Sequence, residues 1–139
     1  MERVNVLISR ADDGFYTLYC EDSPLLFGSG ETVEQAMDEL KETLRIYREE
    51  IGKDEAFVYP EWMDRPYEFN VRWDVRALLE YYMGIITPTA LGRISGIHPK
   101  QLWSYLHGKT RPRKKQVEKI ESSLHKLGEE LCKLSFSGK

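Results

Sequence analysis

Lys100, Gln101, Ser104 and His107 carry the side chains in this sequence best suited to reading base edges. Stepping 100° per residue along a helix from Pro99 puts Lys100, Ser104 and His107 on one side, with Gln101 and Trp103 flanking. Lysine donates to guanine acceptors, and glutamine has the paired donor and acceptor that fit adenine. Ser104 and His107 suit bases or phosphates. Lys109, Arg111, Arg113, Lys114 and Lys115 follow at once, as a dense positive loop of the kind that grips phosphates without reading sequence. The competing reading is a solvated face on a structural helix.

That chemistry needs elements to hold it. Thr87 to Ser95 reads as a short capped helix with Pro88 in the first turn, where its missing N–H costs nothing. Gly96-Ile97 is a turn, and His98-Pro99 opens a second helix running to Gly108. Leu102, Tyr105 and Leu106 gather on its inner side and should pack on Leu91 and Ile94. The pattern is a helix-turn-helix, whose second helix enters the major groove with its early, outward residues. Free N–H groups at Pro88-Thr89 add a candidate phosphate contact at Thr89, and His98 is read as a cap or a DNA contact. Nine of the 44 residues from Gly84 to Leu127 are Lys or Arg, opposed only by Glu118 and Glu121.

The charge is split along the chain. Residues 1–70 hold 7 basic and 17 acidic residues (net −10), and residues 71–139 hold 13 and 6 (net +7). One half is suited to a polyanion and the other to a basic partner. Domains are expected at 1–73 and 74–139, each small enough to be marginal alone, which favours oligomers. Cys20 and Cys132 support neither a disulfide framework nor a zinc site, and two buried free thiols fit a reducing cytosol. No run approaches a membrane span, so a soluble, cytoplasmic protein is expected.

In the acidic half, Val4, Val6 and Ile8 alternate as a half-buried strand, and Asp12-Asp13-Gly14 signals a turn. Phe15 to Cys20 is the hairpin partner, and Leu25 to Phe27 a short third strand ended by Gly28-Ser29-Gly30. Thr32 with Gln35 makes a capping box before a helical stripe of Val33, Ala36, Met37, Leu40, Leu44, Tyr47 and Ile51, closed by Gly52. Asp54 to Arg65 is a connection with one extended piece. Tyr67, Phe69, Val71 and Trp73 form a fourth strand. The fold class is therefore α+β: a β-β-β-α-β sheet domain followed by an all-α domain. In the second half, Asp74 caps a helix with Ala77, Leu78, Tyr81 and Tyr82. Pro112 precedes a long helix carrying Val117, Ile120, Leu124, Leu127 and Leu131, and Leu134 to Phe136 is a candidate strand.

Catalysis finds little purchase. His98, His107 and His125 have no evident Cys or Ser partner. Asp12, Asp13, Glu21 and Asp22 are candidate metal ligands for a nuclease, but Asp12-Asp13-Gly14 is better explained as a turn. Gly28-Ser29-Gly30 lacks the pattern of a phosphate loop. No metal, cofactor or enzymatic activity is expected.

The first 50 residues resemble the HicB antitoxins of bacterial toxin–antitoxin pairs. The likeness lies in the strand Val4–Ile8, in Asp13-Gly14-Phe15-Tyr16, and above all in Gly30-Glu31-Thr32-Val33-Glu34-Gln35-Ala36. The second half resembles the helix-turn-helix of some HicB proteins through Gly96-Ile97, Gln101-Leu102, Tyr105 and Gly108-Lys109-Thr110-Arg111-Pro112. The resemblance implies a partly degraded ribonuclease-H-like or double-stranded-RNA-binding-like sheet domain without catalysis. It also implies a small basic HicA-type ribonuclease as partner, and repression of the shared operon. The acidic half suits such a partner, with Asp12, Asp13, Glu21 and Asp22 as candidate contacts. Operator binding calls for homodimers or higher even oligomers, because dimers pair half-sites about 34–36 Å apart. The alternative is a stand-alone transcription regulator whose sheet domain dimerises or senses a ligand.

Overall fold

Strict alternation makes the first strand. In β1 (Glu2–Arg10), Val4, Val6 and Ile8 are no more than 2% exposed, while Glu2, Arg3 and Asn5 face solvent. The computed structural model describes residues 1–51 and 59–138, with no side-chain description at Ile51. After β1 the chain reverses at Asp12-Asp13-Gly14. Asp13 Oδ1 accepts from Phe15 N–H at 2.9 Å, and Gly14 takes φ +88°, a conformation that favours glycine. β2 (Tyr16–Cys20) then pairs antiparallel with β1, and β3 (Ser23–Gly30) with β2.

The third strand is longer than Leu25–Phe27, and Gly28 and Gly30 belong to it rather than ending it. They are small because α1 (Val33–Ile46) lies directly on them. A Cβ on Gly28 would overlap backbone atoms of Ala36 and Leu40, and one on Gly30 would stand 2.9 Å from Ala36 N. The capping box forms: Gln35 N–H donates to Thr32 Oγ1 at 3.0 Å, and Gln35 Oε1 accepts from Glu31 N–H at 3.1 Å. Ala36, Leu40 and Leu44 close over Val6, Leu18, Cys20 and Leu26 to make the core. From Tyr47 to Ile51 the helix widens into a π turn. The expected terminator Gly52, and residues 54–58 of the connection, lie outside the described residues. Glu61–Asp64 is a short 3-10 turn that seats Trp62 and Met63 in the core, so the described part of the connection holds a helical turn that the sequence reading did not expect.

β4 (Tyr67–Trp73) pairs parallel with β1, giving a four-stranded mixed sheet in the order β3-β2-β1-β4. The fold is α+β, a sheet followed by helices. The chain divides into two compact units, Met1–Ala77 and Leu78–Lys139. The division falls inside α2 (Val75–Tyr81), because Ala77 is fully buried in the first core. The break in sequence character, by contrast, comes at residue 73 or 74.

In the second unit, α3 (Pro88–Ser95) starts at Thr87, whose Oγ1 accepts from Ala90 N–H at 3.1 Å, and ends at Gly96 with φ +78°. α4 (Pro99–Leu106) starts at His98, whose Nδ1 accepts from Lys100 N–H at 3.1 Å. Gly92 lets the turn fold back onto α3, since a Cβ there would lie 2.8 Å from the Ile97 carbonyl and 3.0 Å from Pro99 Cγ. α5 (Lys114–Cys132) completes the unit. Leu91, Ile97, Leu102, Tyr105, Leu106 and Ile120 are its buried residues, along with Leu79.

Two expectations fail here. Ile94 does not join Leu91 beneath α4. It is 44% exposed, in an open groove of about 660 Å³ between α3 and α5 rimmed by Lys115, Lys119 and Lys126. Ile97 is 3% exposed and takes the core place, because the turn carries it inward. Leu134 to Phe136 is not a strand: the chain leaves α5 through a Leu134 N–H bond to the Leu131 carbonyl at 3.2 Å and pairs with no strand among the described residues.

Candidate nucleic-acid interface

α4 divides its side chains by the 3.6-residue period. Leu102, Tyr105 and Leu106 face inward, which obliges Lys100, Gln101, Trp103 and His107 to face solvent. Lys100 and Gln101 occupy the first turn, fixed by the His98 cap and by Pro99. The cap also sets the imidazole tautomer: with Nδ1 accepting, the proton sits on Nε2. His98 is thus a cap, and its Nε2–H remains as an outward donor. Gln116 Nε2 donates to Gln101 Oε1 at 3.4 Å, a long bond that leaves the Gln101 amide donors available.

One turn later the face becomes an aromatic and cationic cluster. Trp103, 45% exposed, stacks on His107 with ring centroids 4.0 Å apart. Lys109 Nζ lies 4.6 Å from the Trp103 centroid, within cation–π range. His107 Nδ1 is 2.9 Å from the Trp103 carbonyl. Ser104 is half-buried and its Oγ is 2.8 Å from Thr110 Oγ1, so this hydroxyl ties the basic loop to α4. Gly108 at φ +69° and the Lys109 N–H bond to the Ser104 carbonyl, 2.9 Å, bend the loop sharply.

Lys109, Arg111, Arg113, Lys114 and Lys115 are all exposed, and among the described residues none forms an ion pair. Their charge is therefore uncompensated. The unit Leu78–Lys139 carries 11 Lys and Arg against 5 acids, net +6, whereas Met1–Ala77 carries 9 against 18, net −9. Direct contacts bring together Trp103, Ser104, His107, Lys109 and Thr110, with Lys100 and Gln101 one turn earlier on the same helix. Thr89 is exposed in the first turn of α3. Sequence reasoning placed Trp103 only as a flanking residue. A large aromatic four residues before a histidine, outside the inward trio Leu102, Tyr105 and Leu106, was the available signal.

The acidic candidates of the first unit are engaged at home. Asp12 meets Arg76 at 2.9 Å, and Asp13 holds the turn. Glu21 pairs with Arg72 at 3.3 Å, and Asp22 accepts from Trp62 Nε1 at 3.1 Å. Among the described residues, no group of three or more His, Cys, Asp or Glu is placed to hold a metal ion. No helix among them is long and apolar enough to cross a membrane.

The two thiols differ sharply. Burial, assisted by the Asp22 carboxylate, pushes the Cys20 thiol up to about 12, while Cys132, expected to be buried, is exposed in the last turn of α5. Cys132 is expected to alkylate within minutes at pH 8, and Cys20 only once the first unit unfolds. Because folding raises the Cys20 pKa above its ordinary 9.0, the stability it contributes is complete below pH 9 and falls as pH climbs toward 12. Thiol titration under native and denaturing conditions checks the first point, and urea midpoints across that range check the second.

No family model, curated protein or solved structure matches the chain.

Proposed function

We propose that this protein is a non-enzymatic, two-headed regulator: an antitoxin that also represses its own operon. In this reading α3, the Gly96 turn and α4 act as a helix-turn-helix on operator DNA. Lys100 and Gln101 meet base edges in the major groove, and Lys109, Arg111 and Arg113 grip the adjoining phosphates. Ser104 orders the loop, and His107 with Trp103 packs against the sugar-phosphate wall. Thr89 supplies a phosphate contact at the start of α3. The observation that carries this reading is the unpaired cation set at the end of an outward-facing α4, in a unit of net charge +6.

The acidic unit, net −9, would attract and orient a small basic ribonuclease of the HicA type and occupy its RNA-binding face. The HicB-like sheet domain thus supplies neutralisation, the second unit supplies repression, and both work in a reducing cytosol. The internal partners of Asp12, Asp13, Glu21 and Asp22 favour a second reading, a stand-alone DNA-binding regulator whose sheet unit dimerises or senses a ligand. Co-purification with the product of the adjacent gene separates the two: capture of a small basic ribonuclease supports the antitoxin, and its absence supports the regulator.

Lys100→Ala with Gln101→Ala tests the base contacts. Each good bidentate contact discriminates by about 1–3 kcal/mol, so the double variant is expected to bind operator and unrelated duplexes almost equally. Both side chains are exposed, so the fold should be unaffected. An undiminished preference in a mobility-shift competition would remove α4 from the reading role.

A further inference from the structure

Of the two large apolar side chains on α3, Leu91 is fully buried and Ile94 is left open. Ile94 is the single apolar residue, among the described residues, in the lining of the groove between α3 and α5. Lys115, Lys119 and Lys126 stand along the α5 wall of that groove. Positions i, i+4 and i+11 fall within about 40° of one another on a helix, so the three lysines form one stripe spread over about 16 Å. All three are exposed, and among the described residues none forms an ion pair. The adjoining face of α5 has the opposite sign: a neighbouring depression that shares Glu118 and Lys126 is also lined by Glu121 and Glu129.

An apolar contact point beside a row of unpaired cations selects a ligand with both an apolar side chain and carboxylates. A nucleic-acid duplex suits the groove less well. Its phosphate wall offers nothing to Ile94, and the carboxylates of Glu118, Glu121 and Glu129 confine the positive stripe to a narrow band. We propose that this groove docks an acidic segment of another protein, several Asp or Glu residues around one large aliphatic side chain. The aliphatic group covers Ile94, and the carboxylates meet Lys115, Lys119 and Lys126. Apart from Lys115, which lies next to the basic loop, the groove shares no residue with the base and phosphate contacts of the DNA-binding reading. The docking surface therefore does not depend on that reading.

Fluorescence anisotropy of the full chain with two labelled peptides decides the matter. The first peptide alternates glutamate and serine around a central leucine, and the second has serine in place of that leucine. Lys119→Glu with Lys126→Glu is expected to weaken the leucine peptide at least about tenfold, because both positions then repel its carboxylates. Ile94→Ser is expected to weaken the leucine peptide about fivefold or more and to leave the serine peptide unchanged, since only the leucine has a contact there to lose. All the replaced side chains are exposed, so the fold should persist. No binding of the leucine peptide to the parent protein, no loss in either variant, or an equal loss of both peptides on Ile94→Ser overturns the proposal. So does a lysine variant that loses duplex DNA as strongly as it loses peptide, which would make the stripe a nucleic-acid contact. Lys100→Ala with Gln101→Ala should keep full peptide binding, so a failure of the DNA-binding reading leaves this result standing.

Discussion

Replacing Lys109, Arg111 and Arg113 together by alanine is expected to weaken binding to every duplex alike and to flatten its salt dependence. Each phosphate contact contributes about 0.9 to the slope of log affinity against log salt. Losing three should therefore reduce the slope by about 2.7, and the affinity by an order of magnitude or more near physiological salt. Sequence preference should survive, because these side chains follow α4 rather than enter the groove from its first turn. The fold should survive as well, since among the described residues none of the three has an ion-pair partner to lose. Titrations at several salt concentrations read the result directly. A slope unchanged by the triple substitution would place the phosphate grip elsewhere.

Gly28→Ala is expected to be the most damaging single substitution in the first unit. The added methyl would overlap the backbone of Ala36 and Leu40 and stand 2.8 Å from the Glu39 carbonyl carbon. Backbone cannot rotate aside as a side chain can. Either α1 lifts from β3 or the strand bows, and both would loosen the packing of Leu26, Leu40 and Leu44. Overpacking typically costs about 1–3 kcal/mol and sometimes more; with backbone on every side, about 3 kcal/mol or more is expected here. Gly128→Ala makes the matching control. Gly128 lies inside α5 with nothing within 4 Å of a Cβ, so alanine there should raise stability by about 0.5–1 kcal/mol. Urea unfolding of the two variants separates the effects. A Gly28→Ala protein as stable as the parent would mean that α1 and β3 lie farther apart than described.

Local chemistry was legible wherever a residue's role depends on its neighbours in the chain. The turn at Asp13-Gly14, the box at Thr32 and Gln35, Pro88 and Pro99 at their helix starts, and the inward trio Leu102, Tyr105 and Leu106 all follow from short-range rules. Where a residue's place depends on distant chain, the reading slipped. Gly28 and Gly30 looked like punctuation because only α1, brought onto β3, shows why a side chain is forbidden there. Ile94 and Ile97 are both apolar beside the same turn, and only the crossing of α3 with α4 decides which is buried. Asp12 and Glu21 looked like free acids until Arg76 and Arg72 met them from far along the chain.

By itself, the order of residues determined the α+β class, the opposite charges of the two halves and the outward set on α4, because composition and helical period suffice for these. Tertiary structure alone decided which acids meet an intramolecular partner, which glycines are pressed by backbone, and that Trp103, His107 and Lys109 converge on one surface. Periodicity assigns a side chain to a face; whether that face is covered, paired or open depends on what folding brings against it.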